Sequence, residues 1–107
     1  MSRESLGHFE LLVMLALLRQ GDDAYGVPIA DAIAQSTGKP VILASVYNTL
    51  ERLEQKGLVR STLGQPTPER GGRAKRYFSI TTPGLREVRA AKKALTVLWR
   101  GIPVHEG

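Results

Sequence analysis

The sequence predicts a mainly α, α+β fold, and three observations support this prediction. Four segments carry apolar residues at helical spacing, and Gly or Pro residues interrupt the chain between them. Two shorter segments with alternating or β-branched residues precede the last helix, and a Gly- and Pro-rich stretch joins them. Of the 107 residues, 42% are hydrophobic and 23% are charged, as in a globular chain of one domain.

The first predicted helix runs from about Glu4 to Gln20 and is apolar on nearly every face. Its unbroken apolar run, Leu11 to Leu18, is much shorter than the roughly 20 residues of a membrane-spanning helix. No small-residue cleavage pattern follows it, so it does not resemble a signal peptide. We therefore expect no membrane contact and a cytoplasmic protein. A helix without a polar face needs cover on all sides, which here means the domain core and a second subunit.

The second and third predicted helices lie close together in the chain. The second runs from about Gly26 to Thr37, with Pro28 in its first turn and Gly38 as its stop. The third runs from about Ala44 to Lys56 and ends before a glycine. Its core stripe at positions i, i+4 and i+7 consists of Val46, Leu50 and Leu53.

Two strand candidates and a last helix complete the chain. The strands run from about Leu58 to Leu63 and from about Arg76 to Thr81, and residues 64–74 form a long hairpin tip between them. The last helix begins after a threonine cap and runs to about Arg100. Apolar residues at coiled-coil spacing form a seam along it: Leu85, Val88, Ala91, Leu95, Leu98 and Ile102.

This order of elements predicts a winged helix-turn-helix with a two-stranded wing and a long C-terminal dimerisation helix. We expect residues 1–82 to form the DNA-binding region and residues 83–107 the dimerisation helix and tail, within one structural domain. The apolar seam predicts a symmetric homodimer. Its interface, together with the first helix, is predicted to contain Leu85, Val88, Ala91, Leu95 and Leu98.

The distribution of charge indicates double-stranded DNA as the partner. Residues 60–76 hold five Arg and Lys residues against Glu69 alone, so this segment carries +4 of the net charge of +5. Lys and Arg side chains displace the counterions that condense on phosphates. The third helix is neutral, and its polar face carries residue types that bond base edges or phosphates: Ser45, Tyr47, Asn48 and Arg52. Tyr47 is equally compatible with a half-buried core position.

The sequence carries no recognisable catalytic or metal-binding pattern. It has no Cys and only two His, one near each end, which excludes Cys-based zinc sites and His pairs at ligand spacing. The acidic pair Asp22-Asp23 lies in a predicted turn, and His8 has no nucleophile or acid at a matching distance in the chain. We expect neither enzymatic activity nor a cofactor.

Four stretches of the chain resemble the PadR family of bacterial transcriptional regulators, and the resemblance extends from about residue 5 to residue 102. They are the apolar run from Leu11 to Leu18, the triplet Ala24-Tyr25-Gly26, the segment from Ala44 to Val59, and the wing segment from Glu69 to Gly84. The resemblance implies a winged-helix fold, a homodimer formed largely through the C-terminal helix, and usually repression. It places DNA contacts on Ser45, Tyr47, Asn48 and Arg52 in the helix, and on Arg73, Lys75 and Arg76 in the wing.

We therefore interpret the chain as a dimeric, sequence-specific transcriptional repressor that binds an inverted-repeat operator. The alternative is a winged-helix protein–protein interaction module that does not bind DNA. Trp99, the single tryptophan, lies beside the seam of the last helix. It either stacks on a small aromatic effector or only fills the dimer core, and the regulator is accordingly ligand-responsive or constitutive.

Overall fold

The computed structural model describes residues 6–21, 24–64 and 75–103 of the chain. Helices and strands follow one another in the predicted order, which confirms the winged helix-turn-helix architecture. The elements are α1 (His8–Gln20), α2 (Gly26–Thr37), α3 (Leu43–Gln55), β1 (Val59–Leu63), β2 (Arg76–Ile80) and α4 (Thr82–Trp99).

The start of α1 differs from the prediction, since the helix begins at His8 rather than near Glu4. Gly7 precedes it in an extended conformation, with φ −71° and ψ 164°. The Gly7 N–H donates to Oε1 of Glu10 at 2.9 Å, so the Glu10 carboxylate caps the first turn. The other bounds agree with the prediction to within a residue or so, which is the usual precision of helix ends. No helix in the described ranges is long and apolar enough to cross a membrane.

The core lies where α1, α2 and α3 meet the two-stranded sheet. The predicted stripe of α3 is fully buried in it, as are several residues of the other helices. Burial of this apolar surface is the main force that holds the helices together. The largest fully buried side chains are Met14, Ile29, Leu50, Leu53, Val13 and Val46.

The wing is a single antiparallel pair in which Val59 lies opposite Ile80 and Leu63 lies opposite Arg76. The free edge of β2 is tied to the helices, because the Phe78 N–H donates to the carbonyl of residue 24 at 2.8 Å. This bond holds β2 against the segment between α1 and α2. The predicted basic tip, including Arg73, lies outside the described residues.

The start of α4 packs tightly on the turn between α3 and β1. The Thr81 hydroxyl accepts from the Gly84 N–H at 3.1 Å and donates to the Gly57 carbonyl at 2.7 Å, which confirms the predicted threonine cap. A Cβ atom on Gly84 would overlap the Leu58 carbonyl, so only glycine allows this approach of the two backbones.

The predicted seam of α4 divides into two halves with different surroundings. Val88 is buried in the domain's own core with 5% of its surface exposed, and Leu85 and Ala91 are half-buried. Leu95 and Leu98 are 58% and 71% exposed. The second half of α4 thus projects from the domain with its apolar face uncovered within the protomer.

Candidate nucleic-acid interface

The exposed face of α3 carries the four polar residues that the sequence placed at the DNA. Ser45 and Asn48 are exposed near the start of the helix. Tyr47 is 38% exposed, and the Arg52 side chain is 56% exposed. The opposite face of the helix is buried, so this face can approach a groove of DNA without disturbing the core.

The Tyr47 ring packs on the start of α2. A Cβ atom on Gly26 would overlap the ring, and the ring centroid lies 6.4 Å from that of Phe78 in a tilted arrangement. Tyr47 is therefore held between α2 and β2 while part of it stays exposed. This contact gives a physical reason for the glycine of the Tyr25-Gly26 pair, which is the only residue that leaves room for the ring.

Arg52 is held against α1 rather than extended freely into solvent. Its Nε lies 3.6 Å from Oε2 of Glu10, and its guanidinium donates to the Thr49 hydroxyl at 3.4 Å. More than half of the Arg52 side chain stays exposed despite these contacts. Arg52 consequently connects α1 to α3.

The buried carboxylate of Glu10 is the centre of this connection. Besides the Gly7 N–H and Arg52, it accepts a hydrogen bond from Nζ of Lys56 at 3.0 Å. Burial raises the pKa of the Glu10 carboxyl, but the hydrogen bonds from Gly7 and Lys56 and the charges of Lys56 and Arg52 outweigh it. The net effect is a pKa below its ordinary value of 4.5.

An ion pair joins the tip end of the two-stranded ladder to the C-terminal half of α3. Arg76 donates to Oε1 of Glu54 at 2.8 Å and to the Ser61 hydroxyl at 3.1 Å, and Ser61 donates to Oε2 of Glu54 at 2.8 Å. The guanidinium carbon of Arg76 also lies 5.4 Å from the centroid of the Phe78 ring. Arg76, which the sequence placed at phosphate, thus has an acidic partner within the protomer.

Lys75 directly precedes β2. Its Nζ is 4.1 Å from the centroid of the Tyr25 ring, and this ring meets Tyr77 edge-on at 5.9 Å. The cation is therefore positioned on an aromatic pair at the side of the wing. Arg60 on β1 is exposed, whereas the position of Arg73 is not described.

Sequence reasoning missed the roles of Glu10 and Glu54. A carboxylate at the start of an otherwise apolar helix was a usable signal for Glu10, because a buried charge needs partners. Glu54 gave no such signal, since a glutamate on an amphipathic helix normally faces water. Among the described residues, no cluster of His, Asp or Glu could hold a metal ion.

The apolar surface that α4 leaves uncovered has a counterpart on α1 and α2. Trp99 is 64% exposed beside the projecting half of the seam. An open groove of about 460 Å³ also lies between α1 and α2. Its apolar lining consists of Leu12, Leu15, Ala16, Leu18, Ala32 and Ile33.

Three helices with an exposed polar face on the third, followed by a two-stranded wing, define a winged-helix transcriptional regulator that binds DNA. Residues 14–90 match the Transcriptional regulator PadR-like family. The chain therefore belongs to the PadR-like family of transcriptional regulators. These proteins are regulators and not enzymes, in agreement with the sequence prediction.

Solved structures of this family resemble the chain over most of its length. A PadR family transcriptional regulator from Eggerthella lenta is 30% identical, covers 84% of this chain and 76% of its own, and has a TM-score of 0.66. A PadR family transcription regulator from Clostridium difficile is 22% identical and covers 86% and 91%, with a TM-score of 0.69. A PadR-like regulator from Bacillus cereus is 20% identical and covers 84% and 82%, with a TM-score of 0.68. No curated protein matches the chain.

Proposed function

We propose that the protein is a homodimeric transcriptional repressor that binds an inverted-repeat operator. Residues 1–82 would read the DNA, and residues 83–107 would join the subunits. The observation that carries the proposal is the exposed polar face of α3, which neighbouring elements hold in place on several sides. A reading surface works best when its supporting contacts fix its geometry, and α3 has such contacts.

The supporting contacts come from three different elements. Tyr47 packs on α2 at Gly26, Arg52 lies beside Glu10 of α1, and the wing is bonded to α3 through Glu54. In this arrangement Ser45 and Asn48 bond base edges in the major groove. The wing cations contact phosphates and set the overall strength of binding.

A second subunit accounts for the apolar surface that the protomer leaves exposed. Leu95, Leu98 and Trp99 project from the domain, and the apolar groove between α1 and α2 is open. Exposed patches of this kind mark interaction sites. Two copies of α3 related by a two-fold axis would then require inverted half-sites about 10 bp apart, or a multiple of that spacing.

Selection of duplexes from a randomised pool, followed by fluorescence anisotropy, tests the reading surface. Asn48→Ala should change the preferred sequence, because it removes a side chain assigned to a base edge. Gln35→Ala is a matched control, since Gln35 is an exposed amide on α2. Selection of no duplex by the wild-type protein would contradict the proposal and favour a protein–protein interaction module.

Trp99 is proposed to form one wall of an effector site between the subunits. Planar aromatic compounds stack well on indole, and Trp99 is the only tryptophan, so its fluorescence reports on this position alone. An effector should quench the fluorescence saturably and weaken operator binding. Quenching that leaves DNA affinity unchanged would contradict the regulatory role, and an absence of any saturable quenching would assign Trp99 to packing only.

A further inference from the structure

The start of α3 exposes apolar side chains where the reading surface begins. In the segment Val41-Ile42-Leu43, Val41 packs against the core. Ile42 is 71% exposed and Leu43 is 40% exposed. Two neighbouring apolar side chains thus share the exposed start of α3, and adjoining apolar side chains on a surface form the kind of patch that marks an interaction site.

Ile42 also occupies a position where a different residue type would serve the helix better. It is the N-cap of α3, with an extended backbone at φ −82° and ψ 123° and no side-chain cap. Ser, Thr, Asp and Asn are preferred there because their side chains bond the free N–H groups of the first turn. The chain thus gives up a capping interaction and exposes an apolar group at the same position.

The Ile42 side chain is presented from a well-defined backbone. Its carbonyl accepts from the Ser45 N–H at 2.9 Å and from the Val46 N–H at 3.3 Å. A β-branched side chain has few rotamers, so little conformational freedom remains to be lost on contact. The first turn that follows, from Leu43 to Ser45, carries no charge.

We infer that Ile42 determines sequence specificity by contacting the C5-methyl group of a thymine in each half-site. This inference rests on the proposed function, in which the N-terminal residues of α3 enter the major groove. The thymine methyl is the apolar feature that base edges present in that groove. Ile42 has no side-chain donor or acceptor, so it can select only for this feature. The neighbouring Ser45 supplies the polar contact.

Replacement of thymine by deoxyuridine tests the inference without altering the protein. The probe is a duplex selected by the wild-type protein from a randomised pool, with each thymine replaced in turn. Deoxyuridine lacks only the methyl group and keeps the hydrogen-bonding pattern of thymine. We expect one thymine in each half-site at which the change weakens binding about four-fold, the factor for one buried methyl-sized group.

Substitutions of Ile42 then identify the side chain responsible. Ile42→Ala should weaken binding to the thymine duplex and abolish the effect of deoxyuridine, whereas Ile42→Val should retain most of both. Leu63→Ala is the matched control, because Leu63 on β1 is 73% exposed and equally apolar. This variant should keep the full deoxyuridine effect. Ile42→Ser, which supplies a capping hydroxyl and has no methyl group, provides a folded variant without the apolar surface.

Three results would overturn the inference. Equal affinity for all deoxyuridine duplexes would refute the methyl contact while leaving DNA binding intact. A deoxyuridine effect that persists in Ile42→Ala would assign the methyl contact to another residue. A change of mass in sedimentation for Ile42→Ala would place Ile42 in a subunit interface. Failure of the wild-type protein to select any duplex would instead refute the proposed function, and the inference with it.

Discussion

Glu10 lies beside α3, and its carboxylate contacts two cations of that helix. The Glu10 side chain is 9% exposed, and its carboxylate contacts Lys56 at 3.0 Å and Arg52 at 3.6 Å. A buried carboxylate without these partners would be strongly unfavourable. Glu10 therefore links the position of α1 to that of α3. The contribution of Glu10 to the stability of the fold depends on the charge of its carboxylate.

The lowered pKa of Glu10 predicts a dependence of stability on acidic pH. A carboxyl whose pKa in the folded state lies below its ordinary value of 4.5 stabilises the fold above that pH. This contribution is lost as the pH falls through the folded-state pKa.

Urea unfolding from pH 7 to pH 3 should show a steeper loss of the free energy of unfolding for the wild type than for Glu10→Gln. At pH 7 the variant should be less stable by about 1–2 kcal/mol. Parallel pH profiles of the two proteins would contradict the assignment.

The contact between Gly26 and the Tyr47 ring predicts a non-additive pair of substitutions. Gly26→Ala adds a Cβ atom that overlaps the ring, so it should destabilise the protein by about 1–3 kcal/mol. Tyr47→Ala removes the ring, and in that background Gly26→Ala should cost almost nothing. A double-mutant cycle by chemical denaturation measures the coupling. If the two substitutions lowered the free energy of unfolding additively, the contact between Gly26 and the Tyr47 ring would be contradicted.

At the scale of elements, the wing and α3 are joined by the bonds among Arg76, Glu54 and Ser61. The side chains of Arg76 and Glu54 are 44% and 33% exposed, so water screens the pair and its effect on stability is small. The main consequence of these bonds is geometric, because they hold the wing at a defined position beside α3. The same pairing reduces the charge that Arg76 offers to phosphate.

The salt dependence of binding tests the contribution of Arg76 to DNA affinity. If Arg76 contacts a phosphate, Arg76→Ala should lower the slope of log affinity against log salt by about 1, for all sequences alike. Arg19→Ala removes the same charge from an exposed position at the end of α1 and should leave the slope unchanged. The double variant of Arg73 and Arg76 should flatten the dependence further. An unaltered slope for Arg76→Ala would mean that Arg76 contacts Glu54 and no DNA phosphate.

At the scale of the whole molecule, α4 has two separate tasks. Its first half is held by Gly84 on the backbone of Leu58 and by Val88 in the core. Its second half carries apolar residues that no part of the described protomer covers. A helix held at one end and exposed at the other is suited to carry a subunit interface at a fixed angle to the reading helix.

This division of α4 predicts that the dimer can be lost without unfolding the protomer. Leu98 is 71% exposed, so Leu98→Glu should leave the protomer's core intact. It should reduce the mass in sedimentation from about twice 11.7 kDa to a single chain and weaken operator binding. Leu63→Glu, at a residue with 73% exposure on β1, should keep the mass of the wild type. A dimeric Leu98→Glu variant would place the interface elsewhere.

The sequence by itself determined the order of the elements, the buried stripe of α3, the threonine cap of α4 and the membership of a winged-helix family. These features depend on periodicity, caps and turn residues, which act over a few neighbouring positions. It also identified the exposed face of α3, because that face follows from the position of the stripe.

Only the tertiary structure decided which partners these residues have. Glu10 and Lys56 are 46 positions apart, and Arg76 and Glu54 are 22 positions apart, so no local pattern links them. The same holds for the burial of Val88, which the a/d spacing assigned to a seam between subunits. Spacing shows that residues share one side of a helix, but the packing of the whole domain decides what that side meets.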